Sequence, residues 1–169
     1  RESIGSAIVV PCTSSERRNY MQCGFYSKEY ISMNSVQVVY DASPFIFGLL
    51  SSRMHMLWVK AVAGRLKSDY RYSNIICYNT FPAPRVSEAV ESEISTAALN
   101  ILSTREQYPK MRIGDMYIPD KMPASLLEAH LELDRIVEAL YTSIPFMNDD
   151  ERLSSLLKKY GKMMEEKNA

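Results

Sequence analysis

The segment from Phe45 to Ala63 most constrains the fold, because it is too apolar to be surrounded by water. Ser43 and Pro44 supply an N-cap and a first-turn proline before it, and Gly64 supplies a C-cap after it. We therefore predict one long helix that the rest of the chain packs against, with Gly48 and Ser51-Ser52 as possible interruptions. The apolar residues at helical spacing are Phe47, Leu50, Met54, Leu57, Trp58 and Ala61.

Strand-like segments flank this helix on both sides. Residues 7–13, 20–26 and 35–41 precede it and residues 75–81 follow it, and all four are rich in β-branched and aromatic side chains. The polar residues 14–19 predict a hairpin loop between the first two strands. Together these segments predict a small, mostly antiparallel sheet packed on the helix.

The proline pair in Pro82-Ala83-Pro84 predicts a domain boundary, because proline ends a strand and restricts the residue before it. We expect residues 1–86 to form one domain and residues 87–169 another. The second domain carries three amphipathic patterns, over about 87–105, from Pro123 and after Asn148, which predict a three-helix bundle. The predicted fold class is α+β.

Formal charge divides the chain in the same way. Residues 1–86 contain ten Lys and Arg against five Asp and Glu, a net of +5, whereas residues 87–169 contain ten against fifteen, a net of −5. Such asymmetry indicates that one half faces a polyanion. A solvated basic face without a ligand explains the charge equally well.

The sequence carries no recognisable catalytic or metal-binding motif. Phosphate-binding, dinucleotide-binding, zinc-protease and serine-hydrolase patterns are all lacking. His55 is expected in the core, bonded to backbone, and His130 is expected to form a hydrogen bond with Asp134 four residues later. We predict no catalytic residues, no metal and no cofactor in this chain.

The compartment can be predicted from cysteines and hydropathy. Cys12, Cys23 and Cys77 lack disulfide or zinc spacing, so we expect reduced, mostly buried thiols and a cytoplasmic location. No apolar run is long enough for a membrane span, and we expect no signal peptide, because the first apolar stretch, at residues 8–10, is short and is followed by Pro11. Because the chain begins at Arg1 rather than Met, we expect a piece of a longer protein.

Residues 65–81 have the strongest chemical character, since cations alternate there with Tyr, Ser, Asp and Asn. Arg and Asn can contact base edges, and Lys, Ser and Tyr can contact phosphates. Read as one extended strand, Arg65, Lys67, Asp69 and Arg71 would share one face. An edge strand with protective charges is the alternative interpretation. The predicted DNA-binding residues are Arg53, Lys60, Arg65, Lys67, Ser68, Asp69, Arg71, Tyr72 and Asn79.

This region resembles the recognition domain of MmeI-like type IIL restriction-modification enzymes and related large adenine methyltransferases. The matching motifs are Met54-His55-Met56-Leu57-Trp58, the run from Gly64 to Ser73, and Tyr78-Asn79-Thr80-Phe81-Pro82-Ala83-Pro84. The opening residues 1–25 and the helical segments MPASLLEAHLELDRIVEALY and DDERLSSLLKKY are similar to the same family. One departure is Ala83, where a large residue is common.

The resemblance implies a target-recognition module without catalytic chemistry of its own. Its partners would be double-stranded DNA and the methyltransferase domain of the same protein, which would use S-adenosylmethionine to methylate adenine N6. An endonuclease would accompany it in restriction members. The base-reading residues are expected in less patterned loops, at 14–19 and 27–34. The alternative function is a protein-interaction module that docks a partner subunit through the acidic helical bundle.

Overall fold

The protein is described by a computed structural model that covers residues 5–27 and 34–168. Part of the predicted loop at 27–34 lies outside the described residues. The first sheet contains β1 (Ser6–Pro11), β3 (Gly24–Ser27) and β4 (Val36–Tyr40), in the order β3-β1-β4. Both neighbours run antiparallel to the central strand, which places Val9 opposite Gly24 and Val38.

A second, smaller sheet contains β2 (Thr13–Ser14), β6 (Asp69–Arg71) and β5 (Gly64–Leu66), in the order β2-β6-β5. Cys12 joins the two sheets. Its N–H donates to the Ser35 carbonyl at 2.9 Å, and its carbonyl accepts from the Tyr72 N–H at 2.8 Å. The polar segment after Gly64 is therefore a hairpin and not the single extended strand that its alternation predicted.

The long apolar segment forms two helices, α1 (Pro44–Ser51) and α2 (Arg53–Val62). Ser43 caps the first, as predicted, by accepting from the Ile46 N–H. Ser52 has extended backbone with ψ of 157°, and its hydroxyl oxygen accepts from the His55 N–H at 3.2 Å. The predicted interruption at Ser51-Ser52 is confirmed, because Ser52 ends one helix and caps the next.

The predicted strand at 75–81 is wrong, because residues Asn74–Tyr78 form a π-helical turn. Its backbone bonds are local, with the Asn79 N–H donating to the Asn74 carbonyl at 2.8 Å. The Trp58 indole N–H donates to Thr80 Oγ1 at 3.0 Å and holds the turn against α2. Ile75 is 70% exposed, and none of the sheets found in residues 5–27 and 34–168 includes this segment.

The C-terminal region contains α3 (Glu88–Glu106), α4 (Ile113–Met116), a 3-10 turn (Pro119–Lys121), α5 (Ala124–Glu138) and α6 (Asp149–Asn168). Helix α3 packs between α1 and α5, and α6 packs on α2. The predicted α+β class is confirmed. The bundle helices also pack on α1 and α2, so that one continuous core contains Phe47 and Trp58 together with Ile94, Leu133 and Leu156.

Gly48 shows how closely α1 approaches α3. A Cβ atom at this position would lie 2.7 Å from Ile94 Cγ2 and 3.3 Å from Ala98 Cβ. Glycine therefore permits a helix contact that a larger residue would push apart. None of the helices in the described parts of the chain combines the length and the apolar character required to cross a bilayer.

Candidate nucleic-acid interface

The β5–β6 hairpin presents cations at the surface on a tight turn formed by Lys67 and Ser68. Leu66 lies opposite Asp69, Arg65 opposite Tyr70 and Gly64 opposite Arg71. Lys67 has φ of 57°, in the left-handed region that a two-residue hairpin turn uses. Lys67 and Ser68 are both exposed at the tip. The backbone thus directs the turn into solvent.

The two faces of the hairpin differ from the predicted arrangement. Directly opposed residues share a face, so Arg65 lies with Tyr70 and not with Asp69 and Arg71. The Arg65 guanidinium stacks over the Tyr70 ring at 4.0 Å from the centroid. It also lies 3.6 Å from a carboxylate oxygen of Glu16. Arg65 therefore covers the inner, buried face of the hairpin and links it to the loop after β2.

Arg71 lies on the outer face between Thr13 and Gly64, its neighbours on either side in the sheet. Gly64 has no side chain, and the space around its Cα is open. Among the described residues, neither Arg71 nor Lys67 has an ion-pair partner. Their charges are thus available to a ligand. The sequence did not indicate that Thr13 belongs to this face, because its pairing with Arg71 spans 58 positions.

Arg53 and Lys60 lie on α2, outside the hairpin, although Lys60 is near enough to Arg65 and Glu16 for their charges to act on it. The Arg53 guanidinium forms a paired contact with Asp149 and donates to the Asn19 carbonyl at 3.1 Å and to Asn19 Oδ1 at 2.7 Å. This arginine is thus engaged within the fold, whereas the sequence had placed it in a DNA contact. Burial lowers the pKa of the half-buried Lys60, and the nearby Arg53 lowers it further.

Tyr72 and Asn79 are separated from the other predicted residues. Tyr72 is 3% exposed, and its hydroxyl lies 3.2 Å from His55 Nε2 in the core. Its side chain is therefore buried in the fold, whereas the sequence had placed it in a DNA contact. The tyrosine follows β6 on the face that Tyr70 also buries. Asn79 is exposed, immediately after the π-helical turn.

Both histidines are buried, but neither has the predicted hydrogen-bond partner. His55 pairs with the Tyr72 hydroxyl, whereas backbone had been expected. His130 Nε2 lies 2.7 Å from the Tyr117 hydroxyl, so the expected pair with Asp134 is wrong. Burial lowers the pKa of each imidazole to about 3, with Arg105 contributing at His130. Both are therefore neutral near pH 7.

Asp134 instead connects three parts of the structure. Its Oδ2 accepts from the Tyr20 hydroxyl at 2.8 Å, and its Oδ1 accepts from the Arg53 N–H at 2.7 Å. Burial raises the pKa of this carboxyl to about 7, although both hydrogen bonds oppose the shift. A buried carboxyl and two neutral histidines thus share the interior.

The described residues contain no group of three or more His, Cys, Asp or Glu side chains able to hold a metal ion. All three cysteines are unpaired thiols, and Cys23 and Cys77 are buried. Burial raises the pKa of Cys23 to about 12, so this thiol is protonated near pH 7.

Two family models match consecutive parts of the chain. The family described as MmeI, target recognition domain, matches residues 1–85, and the family described as MmeI, C-terminal domain, matches residues 86–166. DNA methyltransferase A of Bacillus subtilis (strain 168) is 48% identical over 164 residues, which are 97% of this chain and 18% of that protein.

Among solved structures, the type IIL restriction-modification enzyme MmeI in complex with DNA superposes with a TM-score of 0.91 and 38% identity. The match covers 98% of this chain and 22% of that one, so the chain spans about a fifth of both relatives. The chain belongs to the MmeI family and comprises the target recognition domain of that family followed by its C-terminal domain.

Proposed function

We propose that this chain recognises a specific sequence in double-stranded DNA on behalf of an S-adenosylmethionine-dependent adenine-N6 methyltransferase. The observation that carries the proposal is the exposed hairpin, on which the described structure leaves Lys67 and Arg71 without acidic partners. A two-stranded ribbon of this kind fits the major groove of B-DNA. The solved MmeI complex, to which the chain is similar, contains DNA.

The hairpin residues would make different contacts with DNA, some with base edges and some with phosphates. Arg71 could bind a guanine through O6 and N7, and Asp69 could accept from a cytosine amino group, so the hairpin would add base contacts to those expected from the loops at 14–19 and 27–34. Lys67 and Ser68 at the turn would contact phosphates or base edges and set the register. Lys60 and Asn79 would take part only at the margins, since they lie on other elements.

The catalytic steps would belong to other parts of the parent enzyme. Its methyltransferase domain would bind S-adenosylmethionine, which supplies the methyl group, and would be the second partner of this chain. A target base must leave the duplex for methylation, so the enzyme needs phosphate anchors around the site. Restriction members would add an endonuclease, and the enzyme would act in the cytoplasm.

The first test removes the charge at the turn without disturbing its backbone. Asn tolerates the left-handed conformation better than most residues, so Lys67→Asn keeps the hairpin while deleting one cation. If Lys67 contacts a phosphate, the negative slope of log K against log salt becomes shallower by about 0.9. Arg71→Ala should weaken binding and relax discrimination at one base position. Fluorescence anisotropy with duplexes selected from a randomised pool measures both effects.

Lys162→Asn provides the matched control, because this exposed lysine lies on α6 and is absent from the hairpin surface. It should leave the salt slope unchanged. Equal slopes for Lys67→Asn, Lys162→Asn and the unmodified chain would contradict the proposed contact. Salt-insensitive binding of a protein subunit without DNA affinity would instead favour the protein-interaction module.

A further inference from the structure

The loop that follows β2 is connected through Arg53 to α6 in the C-terminal region. We define residues 15–19 as the recognition loop. Arg53 donates from Nη1 to the carbonyl and side-chain oxygens of Asn19, at 3.1 and 2.7 Å. From Nε and Nη2 the same guanidinium donates to the carboxylate of Asp149, with the Nε contact at 3.3 Å. Arg53 therefore bridges α6 to the base of the loop.

A second tie holds the next residue of the chain. Tyr20 donates to Asp134 on α5, and its ring stacks on His130 at a centroid distance of 4.2 Å. The same carboxyl accepts from the Arg53 N–H at the start of α2. Tyr20 and Asp134 are 4% and 6% exposed, so this tie excludes water. Asp134 thus holds Tyr20 directly, and Asp149 acts on the adjacent Asn19 through Arg53.

The other end of the recognition loop adjoins the hairpin. It leaves β2, which pairs with β6, and Glu16 lies 3.6 Å from Arg65 on β5. Burial lowers the pKa of Arg18, and the nearby Asp69 carboxylate opposes that shift, which shows that the two side chains are close. The loop is also bound to the C-terminal region at Arg17, which pairs with Asp120 at 2.9 Å, and at Arg18, which donates to the Gly114 carbonyl at 2.9 Å. Asn19 is therefore one of several points at which that region fixes the loop beside the hairpin.

We propose that Asp149 and Asp134 are positioning residues for DNA recognition, which fix the recognition loop beside the hairpin so that both meet one stretch of DNA. This inference rests on the proposed function. It makes the C-terminal helices part of the specificity apparatus. The carboxylate of Asp149 repels phosphates, so its loss should strengthen binding if net charge alone mattered. If Asp149 positions the loop, its loss should instead weaken binding to the specific DNA sequence.

Asp149→Asn tests whether sequence-specific binding becomes weaker or stronger, and Asp150→Asn is its matched control. Both substitutions remove one charge from the first turn of α6, but only Asp149 bonds to Arg53. We expect Asp149→Asn to lower the ratio of selected-duplex affinity to single-mismatch affinity by about fivefold, in line with the loss of a partly buried charged hydrogen bond. Asp150→Asn should leave the ratio unchanged, and Asp149→Glu should restore most of it.

Limited trypsin digestion gives a readout that does not depend on DNA. Arg17 and Arg18 place two trypsin sites in the recognition loop. Cleavage there should become faster in Asp149→Asn and in Arg53→Lys, but not in Asp150→Asn. Equal discrimination and equal cleavage in Asp149→Asn and Asp150→Asn would overturn the positioning role while DNA binding by the unmodified chain persisted. Absence of salt-sensitive DNA binding by the unmodified chain would instead overturn the proposed function.

Discussion

Acidification should destabilise the fold through its two buried histidines, while Asp134 opposes the loss. The pKa of both His55 and His130 is about 3 in the fold, against an ordinary value of 6.5. Between those values the unfolded chain binds more protons, so stability falls as pH drops below 6.5. From pH 7 to pH 5, each histidine should lower the free energy of unfolding by about 2 kcal/mol.

Asp134 acts in the other direction, because its pKa of about 7 exceeds the ordinary value of 3.8. Its folded form binds the extra proton between those values, so its contribution to stability grows as pH falls from 7 to 5, by about 2 kcal/mol. The free energy of unfolding of the unmodified chain should therefore fall by about 2 kcal/mol between pH 7 and pH 5. Asp134→Asn retains an acceptor for the Arg53 N–H but cannot titrate. The free energy of unfolding of this variant should therefore fall by about 4 kcal/mol between pH 7 and pH 5.

Urea unfolding at pH 7 and pH 5 measures these losses, with fluorescence of the single tryptophan, Trp58, as the probe. Asp150→Asn serves as the control, because Asp150 is exposed and should not change the pH dependence. Greater stability at pH 5 than at pH 7, or identical pH dependence in the unmodified chain and Asp134→Asn, would refute the reasoning.

Two further substitutions test how the C-terminal helices pack. Gly48→Ala should lower the free energy of unfolding by about 1–2 kcal/mol despite the better helix propensity of alanine, since its Cβ would meet Ile94. Urea unfolding checks this, and a gain in stability would show that α1 and α3 separate at little cost. Tyr160→Ala removes the ring that lies 5.2 Å from the Trp58 ring. It should speed hydrogen exchange in α6 before other helices, and unchanged exchange would contradict the packing of α6 on α2.

Local chemistry determined much of the fold. Ser43-Pro44 predicted where the long apolar segment begins, and Ser51-Ser52 predicted its break, because capping depends on neighbouring residues alone. The three C-terminal helices followed from apolar spacing for the same reason. The long motif from Gly64 to Ser73 identified the recognition domain, and this family assignment is confirmed.

The errors arose where a distant partner decides the conformation. Alternation over residues 65–74 fits either one strand or a hairpin, and only pairing with Thr13-Ser14 and a left-handed Lys67 select the hairpin. Ile75 and Ile76 favour a strand, but no strand within the described residues pairs with this segment, and a π-helical turn forms. Register and edge availability are properties of the assembled sheet, which short sequence windows do not contain.

By itself the sequence determined the three long C-terminal helices, the division of charge and the chemistry available near Gly64. Only the tertiary structure decided which cations remain free, because a guanidinium is neutralised by whatever the fold brings beside it. Arg53 meets Asp149 from 96 positions away, whereas Arg71 meets a glycine and stays open. The identity of a side chain determines what it can bind. Long-range packing determines whether another group of the fold already occupies it.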